Sequence, residues 1–248
     1  MYEVSELKQM VFIDIETTTG KATYQDVIDE NPALDQYWQL KHNQLKSSEP
    51  ENLADITEPS DMYPRMAALY PEWGKIVCIS IGQIKFDEMG DPVSFGAKSF
   101  YNDDEKVLLE EFNDTARKIM SKYPQMLWAG HNIKGFDLPY IIKRSLVHGL
   151  PVPKAFHLHK QKPWENCLLD TQDVWKFGGW NSAKLGLISE ILGVPSPKQD
   201  LEGSMVSQVY WEGGNLERIK DYCEMDIEAT ANIMLKISGL PLIPSSPF

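Results

Sequence analysis

Apolar residues recur along the chain at two spacings, one typical of strands and the other of helices. Runs rich in β-branched and aromatic residues, bounded by turn residues, predict five strands. They are MVFIDIE (10–16), KIVCISIGQIKF (75–86), VSFGAKSFY (93–101), QMLWAGHN (125–132) and NCLLDTQDVWKF (166–177). We predict that the first three pair as an antiparallel meander.

Segments with an apolar residue every three or four positions predict helices between and after these strands. They are 102–124, capped by Asn102 or Asp103, 135–149, ending at Gly149, 183–194, closed by Gly193 and Pro195, and 215–238. A meander followed by alternating helices and strands predicts an α/β fold. The expected architecture is a mixed five-stranded sheet, in which two parallel strands join the meander and helices cover both faces.

Residues 21–75 interrupt this pattern between the first and second strands. They are rich in Asp, Glu, Asn, Pro and Ser, and we expect an acidic, partly helical insertion with helices near 24–45 and 60–69. Residues 239–248 predict a loosely packed tail. The sequence shows no repeat or low-complexity tract, so the span 1–248 is interpreted as a single domain.

The composition, 42% hydrophobic and 24% charged over 248 residues, is ordinary for a globular protein. No apolar run is long enough to cross a bilayer, and MYEVSELKQM lacks the features of a secretion signal. Cys78, Cys167 and Cys223 lie far apart in apolar segments, so we expect free thiols. These features favour a cytoplasmic protein without a membrane partner.

The net charge of −12 disfavours general electrostatic attraction to nucleic acid, but the charge is unevenly spread. Residues 1–62 hold 13 acids against 4 bases, a net charge of −9. Residues 131–165 hold 6 bases against 2 acids, a net charge of +4. The basic residues of 131–165 could simply lie on a solvated surface, or they could line a path for the phosphate groups of a nucleic acid.

Asp14 and Glu16 are two carboxylates on one face of the first predicted strand, because side chains alternate along a strand. Buried without partners, they would cost several kcal/mol or remain protonated. A divalent cation resolves this conflict, since Mg²⁺ and Mn²⁺ prefer carboxylate oxygens. The alternative is that the strand emerges at the sheet edge and both acids are solvated, because Asp-x-Glu is a weak pattern.

Two further acids lie where helices could present them to the same point. Asp137 follows the fourth predicted strand at the start of a helix, where an N-cap is the alternative role. Asp226 lies within the apolar stripe of the last predicted helix, and an acid that points inward needs a partner. Tyr222 lies one turn earlier on the same side, where a tyrosine often only fills the core.

A sheet packed by these helices could bring the four acids together at the end of the first strand. Two divalent ions, whose charge these carboxylates would neutralise, suit in-line attack of water on a phosphodiester. The sequence contains no Gly-x-x-x-x-Gly-Lys-Ser/Thr loop, so a phosphate-binding NTPase finds no support.

The pattern resembles the DEDD 3′–5′ exonucleases of the RNase H-like, or DnaQ-like, superfamily over residues 9–238. Three motifs carry the resemblance. The first, DIET, contains Asp14 and Glu16, and the second, HNIKGFD, contains Asn132, Phe136 and Asp137. The third, YCEMD, contains Tyr222 and Asp226. The tyrosine is typical of the DEDDy branch. With PEWGKIVCISIG, the chain most resembles stand-alone relatives of the family B DNA polymerase proofreading exonuclease domain.

The resemblance implies a role for each matching residue. Two Mg²⁺ or Mn²⁺ ions would be held by Asp14, Glu16, Asp137 and Asp226. Tyr222 would orient or deprotonate the attacking water. The nucleotide at the 3′ end would contact Thr17, Asn132 and Phe136. Asp170 is expected either to be structural or to support the metal ligands from behind, and it is not counted among the ligands.

The implied activity is hydrolysis of phosphodiester bonds at the 3′ end of single-stranded DNA by a two-metal-ion mechanism. RNA or short oligoribonucleotides are the alternative substrate, and a catalytically silent nucleic-acid-binding scaffold is the alternative class. The phosphate backbone is expected to follow Lys134, Lys143, Arg144 and loop 154–164, with a solvated loop as the alternative for 154–164. The insertion at 21–75 could be a lid, a surface for a protein partner or padding.

Overall fold

The computed structural model of the protein describes residues 1–157, 167–195 and 201–244. Its strands are β1 (Met10–Thr19), β2 (Gly74–Phe86), β3 (Pro92–Tyr101), β4 (Leu127–Gly130) and β5 (Leu168–Asp170). They form one sheet in the order β3-β2-β1-β4-β5. β2 is antiparallel to β1 and β3, and β4 is parallel to β1 and β5. The predicted fold class, a meander joined by two parallel strands, is confirmed.

The described residues also form helices around the sheet. They are α1 (Val4–Leu7), α2 (Tyr24–Glu30), α3 (Leu34–Ser48), α4 (Pro59–Met66), α5 (Glu105–Lys122), α6 (Asp137–Val147), α7 (Thr171–Lys176), α8 (Leu185–Leu192), α9 (Val206–Gly213) and α10 (Leu216–Ile237). Short 3₁₀ helices cover Ala67–Leu69, Lys154–Phe156 and Gly203–Met205. Within the described ranges, none of the helices is both long enough and apolar enough to span a membrane.

Side chains of β1 alternate between the two faces of the sheet, and both faces are covered. The odd-numbered positions from Val11 to Ile15 pack with α5 and α6 in one apolar cluster. Met10 and Phe12 pack on the other face with residues of α10. Asp14 and Glu16 are in phase with Met10 and Phe12, so β1 turns both acids toward α10.

The parallel pairing of β1 with β4 ends early, which leaves one edge of β1 open. Only Met10–Phe12 pair with β4, whose last residue is Gly130. Gly130 approaches β1 closely, because a Cβ there would lie 2.7 Å from the carbonyl oxygen of Ile13. Further along, the N–H of Ile15 donates to Oδ1 of Asp137 at 3.2 Å. The open edge of β1 therefore receives the start of α6.

The insertion between β1 and β2 folds around an apolar cluster of its own. Trp38 and Tyr63 are fully buried, and their rings pack edge to face with centroids 5.4 Å apart. Nε1 of Trp38 donates to the carbonyl oxygen of Pro59 at 2.8 Å, which ties α3 to α4. The expected helices are present, but the segment 24–45 is divided into α2 and α3, since Pro32 disfavours helix at the preceding residue.

The predicted N-cap of α5 is wrong. The helix is capped by Asp104, whose carboxylate accepts the N–H groups of Lys106 and Val107. Asn102 instead accepts the N–H of Asp104, so it supports the turn before the helix. Neither Asn102 nor Asp103 is the N-cap.

Within the described residues 167–177, the predicted strand at 166–177 is correct only over Leu168–Asp170, and Asn166 lies outside the described residues. Asp170 accepts the N–H of Gln172 at 3.0 Å, and this N-cap converts the following residues into α7. The helix α9 was not predicted. The tail is not loosely packed where it is described, because Leu240 and Ile243 contact the cluster around α10. Residues 245–248 lie outside the described residues.

Candidate active site

A cavity of about 360 Å³ lies beside the second half of β1. All of the sequence-predicted site residues line it, namely Asp14, Glu16, Thr17, Asn132, Phe136, Asp137, Tyr222 and Asp226. The remaining lining residues are Ile15, Pro64, Arg65, Ala68, Leu69, His131, Gly203, Ser204 and Ser207. The fold thus brings the three sequence motifs together at one place.

Asp14 and Glu16 face α10, where Cys223 lies against them. Sγ of Cys223 is 3.5 Å from Oδ2 of Asp14, and one ligand atom from each of the three side chains lies within 4.8 Å of the others. Glu16 is 6% exposed and Asp14 is half-buried. The alternative that both acids are solvated at a sheet edge is therefore wrong.

Asp137 is the first residue of α6, and the N-cap position belongs to Phe136. The Asp137 side chain is 3% exposed, and its Oδ1 accepts the N–H of Ile15. This bond joins the start of α6 to the open edge of β1, beside Asp14 and Glu16. The alternative role of Asp137 as an N-cap is wrong.

Tyr222 and Asp226 reach the cavity from α10. Their spacing of four residues places them on one side of the helix, one turn apart. Cys223 and Ile227, which follow each of them, are fully buried against the sheet. Packing of α10 therefore fixes the positions from which the Tyr222 and Asp226 side chains project.

Burial raises the pKa of every carboxyl group in the cluster, and repulsion by neighbouring carboxylates adds to the rise for Asp14, Glu16 and Asp137. Desolvation, followed by the Asp137 and Asp226 charges, raises the pKa of Asp14 well above its ordinary value. Desolvation, followed by the Asp14 charge, does the same for the pKa of Glu16. Burial raises the pKa of Asp137 to about 7 and the pKa of Asp226 to about 7. The cluster concentrates negative charge that a cation would relieve.

The donor set of the cavity fits hard divalent cations. Among the described lining residues, Arg65 is the one permanent cation, and it already pairs with Asp55 at 2.7 Å. Burial lowers the pKa of His131 below its ordinary value, so this ring does not supply positive charge at neutral pH. Carboxylate oxygens without a compensating cation are the ligands that Mg²⁺ and Mn²⁺ prefer.

The loop that carries Asn132 and Phe136 is held by Asp170. The Asp170 carboxylate is buried and accepts the N–H groups of Asn132 at 2.9 Å and Lys134 at 3.2 Å. Asn132 has a φ of 64°, a left-handed conformation that asparagine tolerates. Asp170 does not line the cavity. These contacts support the structural role expected for Asp170.

Sequence reasoning missed the wall that the insertion contributes. Four residues of this wall occupy one side of α4 and the following 3₁₀ helix: Pro64, Arg65, Ala68 and Leu69. The Ala68 carbonyl oxygen accepts the hydroxyl of Thr17 at 2.9 Å and that of Tyr140 at 3.0 Å. The wall is thereby fixed to β1 and α6. The sequence of the insertion carries no motif that signals this contact.

The start of α9 was also missed as a part of the site. The Ser207 hydroxyl oxygen accepts both the Thr18 hydroxyl and the N–H of Thr19, each at 3.2 Å. Nε1 of Trp211 donates to the Thr19 hydroxyl at 2.8 Å. These bonds hold α9 against the end of β1, so that Gly203 and Ser204 border the cavity.

The predicted phosphate path is wrong for Arg144. Its guanidinium forms a buried ion pair with Glu105 at 2.6 Å, and His148 contacts the same carboxylate at 2.7 Å. Two other bases of the predicted path are in exposed pairs, Lys143 with Glu72 at 3.0 Å and Lys134 with Asp173 at 3.1 Å. Residues 158–164 of the predicted loop lie outside the described residues.

A mixed five-stranded sheet with this strand order is an RNase H-like fold, and the acids on its central strand and on the adjoining helices form a candidate nuclease site. The chain belongs to a family described as predicted 3′–5′ exonucleases related to the exonuclease domain of PolB, whose model matches residues 70–240. The matched range includes Asp137, Tyr222 and Asp226, whereas Asp14 and Glu16 precede it. The predicted resemblance to the PolB exonuclease domain is confirmed.

Among solved structures, the chain is similar to the family B DNA polymerase from the hyperthermophilic archaeon Pyrobaculum calidifontis, with a TM-score of 0.52 and 15% sequence identity. The similarity covers 93% of this chain and 24% of the polymerase chain, so this chain spans about a quarter of that protein. At this identity the comparison shows a shared fold. No curated protein matches the sequence.

Proposed function

We propose that the protein is a metal-dependent 3′–5′ exonuclease that hydrolyses phosphodiester bonds at the 3′ end of single-stranded DNA. The convergence of Asp14, Glu16, Asp137 and Asp226 on one cavity carries this proposal. Membership in a family of predicted 3′–5′ exonucleases supports the same class of reaction. The relation of that family to a DNA polymerase domain favours DNA over RNA.

The four carboxylates would hold two ions of Mg²⁺ or Mn²⁺. Bound there, such ions would lower the pKa of water and stabilise the charge that develops on the leaving oxygen. The chain itself supplies fixed positions for the ligands. Asp14 and Glu16 project from the central strand, Asp137 is bonded to the backbone of that strand, and Asp226 projects from a packed helix.

We assign Tyr222 the role of orienting the attacking water. Burial, followed by the Asp226 and Glu16 carboxylates, raises the pKa of Tyr222 above its ordinary value. The phenol therefore stays protonated at physiological pH, when it can donate or accept a hydrogen bond but is a poor base. Orientation is the role that these surroundings favour over proton removal.

Three residues are proposed to contact the terminal nucleotide. Phe136 is half-buried with its ring centroid 5.4 Å from that of Tyr140, and its remaining face could stack on a base. The exposed amide of Asn132 could bond to the sugar or the phosphate. The Thr17 hydroxyl already donates to Ala68, so Thr17 would contact the nucleotide as an acceptor.

The proposal is tested with a single DNA strand labelled at its 5′ end. We expect the wild-type protein to shorten it stepwise from the 3′ end with Mg²⁺ or Mn²⁺, and EDTA to stop the reaction. Asp14→Asn removes a ligand charge without a large change in shape, so the rate should fall by about 100-fold or more. The matched control is Asp221→Asn, an exposed acid of α10 whose removal should leave the rate within about 2-fold of the wild type.

Matched DNA and RNA strands separate the two substrate classes. Faster release from DNA supports the proposal, whereas equal or faster release from RNA would contradict the preference for DNA. If the wild-type protein releases no nucleotide from either strand with either metal ion, the binding-scaffold alternative replaces the exonuclease.

A further inference from the structure

The insertion supplies a cavity wall that lies outside the range matched by the exonuclease family. The match begins at residue 70, and α4 ends at Met66. Arg65 lies on the wall formed by α4 and the following 3₁₀ helix, on the same cavity as the carboxylates.

We propose that Arg65 binds a backbone phosphate of the single-stranded substrate, which makes the insertion a substrate-binding element. The inference rests on the proposed nuclease function, because it names a further residue that holds the same strand. It assigns to the insertion a role in binding nucleic acid, and it makes Arg65 a substrate-binding residue rather than one that takes part in the chemical step.

The charge balance of the cavity is the first argument. The strand that would enter carries one negative charge per nucleotide, and the chain has a net charge of −12. Metal ions can neutralise the carboxylates, but the neighbouring phosphates still need a cation. Among the described residues that line the cavity, only Arg65 is permanently charged positively. Three of the bases predicted for this task, Lys134, Lys143 and Arg144, do not line the cavity, and Arg144 is in a buried ion pair with Glu105.

The hydrogen bonds of Arg65 provide the second argument, because they orient the guanidinium and leave donors unused. Nη1 donates to Oδ2 of Asp55 at 2.7 Å, and Nη2 donates to the carbonyl oxygen of Asn52 at 3.4 Å. A guanidinium has five N–H donors, so three remain for a ligand. The side chain is 47% exposed, and Arg recognises phosphate with two parallel hydrogen bonds.

The attachment of the wall provides the third argument. The carbonyl oxygen of Ala68 accepts hydroxyls from both Thr17 and Tyr140, one turn after Arg65. Thr17 is adjacent to Glu16, so the guanidinium is carried by a segment bonded directly to the acidic strand. The backbone of Arg65 therefore has a fixed place relative to the carboxylates of the cavity, which favours a substrate contact of defined geometry.

Arg65→Gln tests the role in an assay of nucleotide release. We expect KM for a single DNA strand to rise about 10-fold with kcat within about 2-fold of the wild type, because a charge-assisted bond to substrate is lost. The slope of log KM against log salt concentration should decrease by about 0.7, the value for one phosphate contact on a single strand. Arg65→Lys should restore part of the affinity.

Two controls separate this role from general effects. Arg117→Gln removes an exposed arginine of α5 that also pairs with an acid, Asp114, and it should leave KM unchanged. Asp55→Asn removes the partner of Arg65 and keeps the guanidinium. If Arg65 acts only by holding the insertion together, Asp55→Asn raises KM as much as Arg65→Gln does, and the proposal is overturned.

Strands in which one phosphate at a time is replaced by a neutral methylphosphonate identify the contact. At the phosphate bound by Arg65, the difference in KM between wild type and Arg65→Gln should disappear. At all other positions the tenfold difference should persist. A difference that persists at every position excludes a phosphate contact by Arg65 and overturns the proposal.

Binding measured without hydrolysis distinguishes this inference from the proposed activity. In an Asp14→Asn background, fluorescence anisotropy of a labelled DNA strand should give a Kd that Arg65→Gln raises about 10-fold. Equal Kd values overturn the Arg65 proposal even when the wild type is an active exonuclease. A wild type without activity but with Arg65-dependent binding overturns the exonuclease and retains Arg65 as a phosphate-binding residue.

Discussion

Asp137 and Asp226 carry protons at a pH where ordinary aspartates are ionised. Burial beside other carboxyl groups raises the pKa of each to about 7 in the folded protein, whereas an unfolded chain has a value of about 3.9. Between these values the folded state binds more protons than the unfolded state. The protonated groups therefore contribute stability to the metal-free protein at low pH, and this contribution is lost as the pH rises through the folded-state pKa of about 7.

We predict that the free energy of unfolding in EDTA decreases from about pH 5 to about pH 8. Asp226→Asn removes one repelling charge, so it should increase the free energy of unfolding at about pH 8 by on the order of 1–3 kcal/mol. Mn²⁺ should stabilise the wild type at this pH and should fail to stabilise the variant. Urea denaturation followed by circular dichroism, with and without Mn²⁺, measures each effect.

Asp221→Asn is the control for this measurement, since it removes an exposed acid from the same helix. Its unfolding free energy should stay within about 0.5 kcal/mol of the wild type at both pH values. A wild type whose stability in EDTA increases between these pH values would contradict the mutual repulsion of the buried acids.

Individual site residues could be placed from sequence where a pattern constrained them. Asp226 was found because an acid interrupts an apolar helical stripe, and Asp14 with Glu16 because strand alternation puts them on one face. Arg144 was misassigned, because sequence shows a charge but does not show its partner. Glu105 lies 39 residues away, and only the tertiary fold brings the two together.

At the scale of elements, one side chain joins a strand, a helix and a loop. Asp170 ends β5, caps α7 and binds two N–H groups of the loop that carries Asn132. Its carboxylate therefore couples the edge of the sheet to the side of the cavity where Phe136 lies. Its removal should disturb substrate contacts more than metal binding.

We predict that Asp170→Asn lowers the free energy of unfolding by about 1–2 kcal/mol, because the amide turns a donor toward the N–H of Lys134. KM should rise as the loop loosens, and affinity for Mn²⁺ should stay within about 2-fold of the wild type. Urea denaturation, steady-state kinetics and a Mn²⁺ titration measure the three quantities.

Asp173→Asn is the matched control for Asp170, because it removes a half-exposed acid of α7 that pairs with two lysines. It should alter stability by less than about 0.5 kcal/mol. A loss of Mn²⁺ affinity in Asp170→Asn as large as that in Asp14→Asn would instead make Asp170 a metal ligand.

Helices and strands were predicted correctly where the apolar repeat extends over many residues. The prediction failed where a single tertiary or capping contact determines the structure. β2, β3, α5 and α10 were predicted nearly to their ends, since each has at least ten residues with a clear repeat. The segment after Leu168 reads as strand in composition, but the Asp170 cap makes it α7. The bonds from Ser207 to β1 that position α9 have no local signature.

At the scale of the molecule, the insertion has a core that is separate from the clusters on the sheet. Trp38 is fully buried at its centre and contacts Tyr63 and Trp73. A change there should open the insertion without unfolding the sheet, because local stability follows local contacts. The sequence predicted helices in this segment but not their joint core, whose aromatic residues are scattered over α2 to β2.

We predict that Trp38→Ala destabilises the insertion by about 3–5 kcal/mol. Hydrogen exchange measured by mass spectrometry should accelerate throughout α2, α3 and α4, while exchange in β2 and α10 should remain close to that of the wild type. KM for a DNA strand should rise, since the wall that carries Arg65 loses its support.

The control is Tyr37→Ala, the preceding residue, whose aromatic side chain is 57% exposed. It should leave both exchange and KM unchanged. If Trp38→Ala accelerates exchange equally in the insertion and in α10, the molecule unfolds as one cooperative unit and the insertion has no independent stability.

The central position of β1 has a consequence for how the protein emerges from the ribosome. β1 precedes both of its neighbours along the chain, and β2 follows only after the whole insertion. The apolar faces of β1 therefore remain exposed during synthesis until the insertion and β2 have been made. The pairing of β1 with β4 forms later still. If synthesis pauses between α4 and β2, β1 has no strand beside it and its apolar side chains are exposed. We therefore expect a chaperone to bind the nascent chain at this stage.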